Sequence, residues 1–299
     1  MRFYCMQKKK IVLSVAMAVK NEESNIKSCL SSIADIADEI VVVDGGSTDR
    51  TIEIARDFDA KIIQTDNPPI FHINKQKALD ACTGDWILQL DADEIVTPDL
   101  QDEILKVIHM SQQQLRERVI DPNKKKLFER HQQLVFDRDE QTGTNKRDTA
   151  AFFVPRRNYF LGHPMTYAGT YPDGVIRLVK NGTAHFPSKS VHEQIAIDGA
   201  VGWLSHDLIH MSHPTWKKYW QGADRYTSLL SQNIIHDTRN SFVVALDYLV
   251  VKPMVTFFAL AIRYKGILDG IYGFLFSLFS ALHYPIAYRK TKKFCRIRS

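Results

Sequence analysis

The stretch DWILQLDADEIVTP, residues 85–98, places a short apolar run directly before three carboxylates in four positions. The run WILQL (86–90) is predicted to be a buried strand, and Asp91, Asp93 and Glu94 follow it. Like charges this close together raise one another's pKa unless a positive charge lies among them. The cluster is therefore either solvated or holds a cation.

The residues before this stretch repeat the same strand-then-helix pattern. Strands are predicted at 11–19, 40–43, 60–65 and 86–90, and helices at 21–36, from about 49, and at 73–84. Such alternation predicts βαβ units and an α/β fold with a mostly parallel sheet. In open sheets of this kind, ligands bind beyond the carboxyl ends of the strands.

The ends of the first two predicted strands carry further candidates. Asn21 is the predicted cap of the first helix, whose apolar face is formed by Ile26, Leu30 and Ile33. Asp44 ends the second strand, within VVVDGGSTDRT (41–51), and can accept hydrogen bonds from a nucleobase or a ribose. The two glycines after Asp44 permit a tight turn, and one of the polar residues that follow can cap the next helix.

Asp91 and Asp93 lie two positions apart, so in extended backbone they would share one side of the chain. Two such carboxylates suit a hard divalent cation, because Mg²⁺ and Mn²⁺ favour oxygen ligands and Mg²⁺ is commonly shared with substrate phosphates. The alternative is that Asp93 and Glu94 begin a solvated turn before the helix predicted at Pro98.

Three stretches together resemble family 2 glycosyltransferases: VAMAVKNEESNIKSCLSSI (15–33), EIVVVDGGSTDRTIEIA (39–55) and NKQKALDACTGDWILQLDADE (74–94). The resemblance covers roughly residues 10–105. It implies the GT-A fold, with a Rossmann-like, mostly parallel sheet. It also implies that Asp44 contacts the nucleoside, that Asn21 and Glu22 lie near the base, and that Asp91 and Asp93 bind Mg²⁺ or Mn²⁺ together with the donor diphosphate. Lys75 and Arg177 are assigned to the same nucleotide-sugar site.

The second half, RRNYFLGHPMTYAGTYPDGVIRLVKNGTAHFPSKSVHEQIAIDGAVGWL (156–204), resembles the branch that contains lipopolysaccharide core β-glucosyltransferases. By this resemblance Glu193, in Val191-His192-Glu193, occupies the place of the catalytic base. His192 either contacts the diphosphate or the metal, or orients Glu193. An inverting transfer is one in-line displacement, so one carboxylate that takes the proton of the acceptor hydroxyl suffices. A second carboxylate acting as nucleophile would instead indicate a retaining glycosidase.

A later run, QGADRY (221–226), lies among aromatic and basic residues. It distantly resembles the Gln-x-x-Arg-Trp motif of processive members, but the spacing to Arg225 differs, so processivity is not supported. Arg225 is assigned to the donor because arginine suits phosphate oxygens. The alternative is an amphipathic helix that packs on the rest of the chain.

The chain is predicted to have four parts. Residues 1–105 form the nucleotide-sugar-binding half, 106–150 a polar insertion, 151–212 the acceptor-binding half, and 213–299 apolar helices with a basic tail. The runs 241–262 and 266–288 are apolar, and six positive side chains follow in 289–298.

A membrane-spanning helix needs about 20 apolar residues, and Asp247 and Lys252 interrupt the first run. Spanning by the second run alone would place the basic tail outside, against the positive-inside tendency. Helices lying in the membrane interface avoid both problems. The alternatives are spanning helices, a soluble core or an oligomer interface.

Composition bears on whether the protein binds nucleic acid and on whether its compartment is reducing. A net charge of +5 and a pI of about 8.9 do not favour nucleic-acid binding. The four cysteines form no CxxC pair and the N-terminus lacks a separate apolar signal, so a reducing compartment is predicted.

Together these features predict an inverting glycosyltransferase at the cytoplasmic face of the inner membrane. It moves a sugar from a nucleotide-sugar to a hydroxyl of a lipid-linked or lipopolysaccharide-type acceptor. Both a monomer and an oligomer are compatible with the sequence. The alternatives are a polyprenyl-phosphate glycosyltransferase, which needs little base catalysis, and a non-catalytic sugar-nucleotide-binding membrane protein.

Overall fold

The computed structural model describes residues 11–119, 148–187 and 195–298, with side chains up to residue 292. The chain divides into two compact units. The first consists of Met1–Arg156 and Gly174–Ile209, and the second of Arg157–Asp173 and His210–Ser299. His192 and Glu193, the predicted catalytic residues, lie outside the described residues.

The first unit begins with alternating strands and helices. They are β1 (Leu13–Val19), α1 (Ile26–Ser31), β2 (Glu39–Asp44), α2 (Thr51–Arg56), β3 (Lys61–Gln64), α3 (His72–Asp80) and β4 (Trp86–Leu90). The four strands are parallel in the order β3-β2-β1-β4. All five residues of β4 are buried, as expected for a parallel strand covered on both faces. The predicted α/β fold with its parallel strands is confirmed.

In the described residues the chain continues through two more helices and eight more strands, six of which join the same sheet while two form a separate two-stranded sheet. They are β5 (Glu94–Val96), α4 (Pro98–Ile108), α5 (Gln112–Glu117), β6 (Thr149–Phe160), β7 (His163–Pro164), β8 (Asp173–Lys180), β9 (Ala184–His185), β10 (Ala196–Ile197), β11 (Ala200–Trp203) and β12 (Leu208–His213). Among the described residues the sheet order is β3-β2-β1-β4-β8-β6-β12-β5. β8 runs antiparallel to β4, with Leu178 opposite Leu88, and this pairing brings Arg177 to the end of β4.

The first helix differs from its prediction. It begins at Ile26 and not near Asn21. Asn21 has a left-handed backbone, with φ of 54°, and its side-chain oxygen accepts a hydrogen bond from the Thr48 backbone at 2.8 Å. Asn21 is therefore no helix cap, and it joins two loops instead. Ile26, Leu30 and Ile33, predicted to form the apolar face of this helix, are fully buried, but the helix ends at Ser31 and Ile33 lies in the turn that follows.

The second unit contains a long polar helix and an apolar helical pair. α6 spans Trp216–Ile235. A helical run then covers Ser241–Arg263 through α7 (Ser241–Leu246), a π-helical turn, α8 (Lys252–Phe258) and a second π-helical turn. The chain reverses at Lys265, which has a left-handed φ of 57°, and continues through a 3₁₀ turn (Gly266–Asp269) into α9 (Gly270–Arg298). We call Ser241–Arg263 and Gly266–Lys292 the apolar hairpin; both helices are long and apolar enough to cross a membrane.

The turn of the apolar hairpin is fixed to the loop between β7 and β8. The buried Asp269 carboxylate accepts hydrogen bonds from the backbone N–H groups of Thr166 at 3.1 Å and Tyr167 at 2.8 Å. The Tyr264 carbonyl accepts a third from the Ala168 N–H at 2.9 Å. These bonds satisfy three backbone donors of the loop, so the loop and the hairpin turn form one structure.

Candidate functional site

The carboxylate of Asp91, directly after β4, binds two cations. Its Oδ1 lies 2.5 Å from Lys75 Nζ on α3, and its Oδ2 accepts a hydrogen bond from Arg177 Nη2 on β8 at 2.6 Å. Lys75 and Arg177 are 8% and 7% exposed, whereas the Asp91 side chain is 29% exposed. The site is thus built from the end of one strand, its antiparallel neighbour and the preceding helix.

Glu94 is completely buried and binds both Arg177 and the backbone of Asp91. Its Oε1 accepts hydrogen bonds from Arg177 Nη2 at 2.6 Å and Arg156 Nη1 at 3.2 Å. Its Oε2 accepts one from the Asp91 backbone at 3.0 Å. Arg177 also donates to the Gln89 side chain. Glu94 is therefore not part of a solvated turn, and the cations that compensate Asp91 and Glu94 in this structure are protein side chains.

The backbone between Asp91 and Glu94 turns, because the Glu94 N–H donates to the Asp91 carbonyl at 3.0 Å. The extended geometry expected for Asp91-x-Asp93 is therefore wrong. The three carboxylates nevertheless lie near one another. Burial raises the pKa of the nearby Cys29 thiol, and the charges of Glu94, Asp91 and Asp93 raise it further.

The charge network determines the ionisation of Asp91. Burial alone would raise the pKa of the Asp91 carboxyl, but the charges of Arg177 and Lys75 overcome burial and hold this pKa well below its usual value. Burial likewise lowers the pKa of Arg177, yet Asp91 and Glu94 raise it above its ordinary value. Asp91 is therefore a carboxylate and Arg177 a cation at neutral pH.

A second polar group lies at the carboxyl ends of β1 and β2. The buried Asp44 carboxylate accepts hydrogen bonds from the Ser47 hydroxyl at 2.5 Å and from the Gly46 N–H at 3.1 Å. The Ser47 hydroxyl in turn accepts one from the Asn21 N–H at 2.8 Å. Gly46 has φ of 80°, a conformation that favours glycine. Asp44 thus shapes the turn that also contacts Asn21.

Glu22 and its neighbour join the same two loops. The Glu22 N–H donates to the Thr51 hydroxyl at 2.8 Å, and the Glu23 carboxylate accepts from the Arg50 N–H at 3.1 Å. Asp49 accepts from the Thr51 N–H at 3.0 Å, but the cap position of the second helix is Arg50, which makes no side-chain cap bond, so none of the polar residues predicted to cap that helix does so. Asn21, Glu22 and Asp44 therefore belong to one cluster, which we call the loop cluster.

A cavity of about 280 Å³ opens beside the ion-pair network. It is lined by three cations, Lys75, Arg156 and Arg177, by Gln89, and by a mainly apolar wall with Phe71, His72, Phe153, Gly174, Val175, Ile176, Phe186 and Ile195. The Nε atom of Arg177 is buried and has no hydrogen-bond partner in the described part of the chain. The cavity therefore offers positive charge, which suits an anionic ligand.

The structure brings some of the predicted residues together within the first unit. Lys75, Asp91 and Arg177 form one contact network. Arg225 lies on the exposed face of α6 in the second unit. Sequence reasoning did not assign roles to Glu94 and Arg156. The run of three carboxylates pointed toward Glu94, whereas no local pattern marks Arg156.

The donor atoms fit a hard divalent cation in kind, because Asp91 and Asp93 supply carboxylate oxygens. Asp91, however, already has one cation on each oxygen. Among the residues that the structure describes, no group of three or more His, Cys, Asp or Glu side chains is placed to hold a metal.

Comparison with known proteins gives a family and several relatives. Residues 14–158 match the family described as Glycosyl transferase family 2. An uncharacterized glycosyltransferase of Rickettsia typhi is 39% identical over 93 residues, which is 31% of each chain. A TPR repeat-containing protein of Synechococcus elongatus is 45% identical over 82 residues, 27% of this chain and 20% of that protein. The chain thus aligns with less than a third of the length of these two relatives.

Two further similarities differ in extent. The lipopolysaccharide core biosynthesis glycosyltransferase LpsC of Rhizobium meliloti is 25% identical over 284 residues, covering 92% of this chain and 89% of that protein. A crystal structure of glucosyl-3-phosphoglycerate synthase from Mycobacterium tuberculosis, in complex with Mn²⁺, UDP and glucosyl-3-phosphoglycerate, is 29% identical. It covers 28% of this chain and 34% of that chain, with a TM-score of 0.26.

Proposed function

Because residues 14–158 match the family described as Glycosyl transferase family 2, we propose that the protein is an inverting glycosyltransferase whose donor is a nucleotide-sugar. The observation that carries the proposal is the meeting of Lys75, Asp91 and Arg177 beside a cavity with three cations. The acceptor is a hydroxyl of a lipid-linked or lipopolysaccharide-type molecule, which the similarity to LpsC over 92% of the chain supports.

Positive charge is the main chemical contribution of this site. The leaving nucleoside diphosphate gains negative charge as the bond to the sugar breaks, and fixed cations stabilise that charge. Arg177 is held at the cavity by Asp91 and Glu94, so its position is set before the donor binds, and Lys75 supplies a second positive charge there through its pair with Asp91. Mg²⁺ or Mn²⁺ held by Asp91 and Asp93 would supply further positive charge to the same diphosphate. The loop cluster is proposed to hold the nucleoside through Asn21, Glu22 and Asp44.

Glu193 is proposed as the base that removes the acceptor proton, and His192 as its partner. Both lie in residues 188–194, outside the described residues. Phe186 and Ile195, which precede and follow that segment closely in sequence, line the cavity. This supports a base near the donor site. Arg225 is proposed to contact phosphate oxygens, although it belongs to the second unit.

A screen of nucleotide-sugars tests the proposed function. We expect Mn²⁺-dependent hydrolysis of one nucleotide-sugar, measured as released nucleoside diphosphate, and at least about a tenfold loss in Asp91→Asn, since several kcal/mol of charge stabilisation depend on such groups. Asp99→Asn, an exposed change at the start of α4, is the matched control. Absence of hydrolysis for every nucleotide-sugar tested would contradict the assignment and favour a non-catalytic binding protein.

We further propose that the apolar hairpin lies in the membrane interface and does not cross the bilayer. α9 packs along α6: the Tyr219 hydroxyl lies 3.2 Å from His283 Nε2, Lys290 Nζ lies 2.6 Å from Asp224, and Thr291 donates to the Ser231 carbonyl at 3.2 Å. A spanning α9 would take these polar groups of α6 into hydrocarbon, which is costly.

The face of the apolar hairpin that would meet lipid is exposed along both helices. Its most exposed members are Phe242, Val255, Ile262, Leu268 and Ile271, each at least 60% exposed. Single exposed apolar residues are ordinary, but many of them within two helices that are mostly unburied indicate an interaction surface. Basic residues flank it, including Arg239, Lys265 and Arg289. They suit the anionic headgroups of the cytoplasmic leaflet, which supports attachment to that face of the membrane.

Vesicle binding tests this attachment. We expect the double change Val255→Ser and Ile262→Ser to weaken co-sedimentation with anionic phospholipid vesicles by about tenfold or more, because each apolar side chain is worth about 1.5–3 kcal/mol when fully buried. Val119→Ser, at an exposed valine in the first unit, is the control and should leave binding unchanged. Equal binding by the double variant and the unsubstituted chain would contradict the proposed lipid-facing surface.

A further inference from the structure

The two cations on Asp91 are held in different ways. Arg177 is buried and also donates to Gln89 and Glu94, so its guanidinium is fixed on several sides. Within the described residues, the only carboxylate paired with Lys75 is Asp91. The Lys75 ammonium ends a flexible four-carbon chain, and Lys75 also lines the cavity. Lys75 is therefore the cation that can leave Asp91.

The Oδ1 atom of Asp91 cannot serve Lys75 and a divalent metal equally well. Lys75 Nζ lies 2.5 Å from Oδ1, the same oxygen to which Mg²⁺ would bind at about 2.0–2.1 Å. Two cations on one oxygen repel each other, and the repulsion is strong in a partly buried site. A metal that binds Asp91 in the free protein must therefore displace Lys75 without giving the ammonium another anion. When a diphosphate is present, the ammonium has such an anion.

We propose that Lys75 is an exchangeable counter-ion, which holds Oδ1 of Asp91 in the free protein and passes to the donor diphosphate when diphosphate and metal bind. The inference rests on the proposed nucleotide-sugar site. The exchange makes the binding of metal and diphosphate cooperative. Diphosphate draws Lys75 away from the Asp91 oxygen that the metal needs, and metal on that oxygen releases Lys75 for the diphosphate. Such coupling between two binding free energies is reciprocal. The free protein then binds metal weakly, and Asp91 stays compensated until the donor arrives.

Titration with Mn²⁺ alone tests the first half of this exchange. The full chain is compared with Lys75→Met, which removes the charge at similar length, and with Lys75→Arg, which keeps it. We expect Lys75→Met to bind Mn²⁺ about tenfold more tightly, within the usual range of coupling between sites, and Lys75→Arg to behave like the unsubstituted chain. Lys77→Met is the matched control, because Lys77 lies on the same helix and donates to the Thr65 hydroxyl at 2.6 Å.

Titration with inorganic pyrophosphate tests the second half and uses the unsubstituted chain as well as the variants. Without metal, in excess EDTA, we expect Lys75→Met to bind pyrophosphate about tenfold more weakly than the unsubstituted chain or Lys77→Met. In the unsubstituted chain, Mn²⁺ should raise the affinity for pyrophosphate by a similar factor. That last measurement requires no substitution, so a poorly folded variant does not prevent the test.

The outcomes separate this inference from the proposed function. Equal affinity for Mn²⁺ in the unsubstituted chain and Lys75→Met would overturn the exchange, even if the chain hydrolyses a nucleotide-sugar. A pyrophosphate affinity that Mn²⁺ does not change would also overturn it. Conversely, tighter Mn²⁺ binding by Lys75→Met in a chain that hydrolyses no nucleotide-sugar would support the counter-ion and refute the glycosyltransferase.

Discussion

Replacing Glu193 by glutamine is expected to lower the rate of sugar transfer by about 10²–10⁴-fold, the usual contribution of a general base. Glutamine keeps the size of the side chain but cannot take the proton of an acceptor hydroxyl. Binding of the nucleotide-sugar should change little, because the proposed donor contacts come from other residues. The measurement is the transfer rate at saturating donor, together with donor affinity from a direct binding assay.

The same experiment distinguishes the acceptor classes. A hydroxyl acceptor must lose a proton during attack, whereas the phosphate of a polyprenyl phosphate is already an anion and needs little base catalysis. Glu117→Gln, at an exposed position on α5, makes the same chemical change elsewhere and should be neutral. Near-normal transfer by Glu193→Gln would reject Glu193 as the base and favour a polyprenyl-phosphate glycosyltransferase.

Replacing Glu94 by glutamine is expected to lower the free energy of unfolding by about 3–5 kcal/mol, the usual cost of removing one partner from a buried ion pair. Glu94 is completely buried, and its carboxylate accepts from Arg177, Arg156 and the Asp91 backbone. Glutamine leaves the buried guanidinium of Arg177 with less compensating negative charge. Its amide NH₂ group would also face an N–H donor of Arg177, Arg156 or the Asp91 backbone where Glu94 has an accepting oxygen. Denaturant unfolding, followed by fluorescence, measures the change.

The control for Glu94 is Glu53→Gln. Glu53 forms an exposed pair with Arg50 on the surface of α2, and exposed pairs contribute little to stability. We therefore expect no measurable change in its unfolding midpoint. A Glu94→Gln variant as stable as the unsubstituted chain would show that Arg177 and Arg156 do not depend on the Glu94 charge, and the structural role assigned to Glu94 would fail.

Local patterns predicted the strands and the position of Asp91, because apolar runs and the polar residues after them are adjacent in sequence. The ion-pair network could not be predicted in this way. Arg177 and Asp91 are 86 positions apart, and Arg156 and Glu94 are 62 positions apart. Arg177 meets Asp91 through the antiparallel pairing of β8 with β4, and Arg156 lies on β6, the next strand of the sheet after β8. Both placements depend on the whole sheet.

The wrong expectation for Asn21 has the same origin. A polar residue before an apolar periodic stretch ordinarily indicates a helix cap. In this chain the Asn21 side chain bonds to Thr48, 27 positions later, and the helix begins at Ile26. A long-range contact between two loops thus replaced a local one. The carboxylate cluster was more informative, since its unfavourable charge density required a compensating partner.

The hydrogen bonds at the hairpin turn affect how this protein can be prepared for study. Truncation before residue 241 removes the apolar hairpin and is the obvious route to a detergent-free fragment. It would remove Asp269 and Tyr264, which accept from the N–H groups of Thr166, Tyr167 and Ala168. It would also uncover Phe160, which packs on Phe276. The hairpin is therefore part of the second unit's core, and purification strategies should retain it and supply amphiphiles.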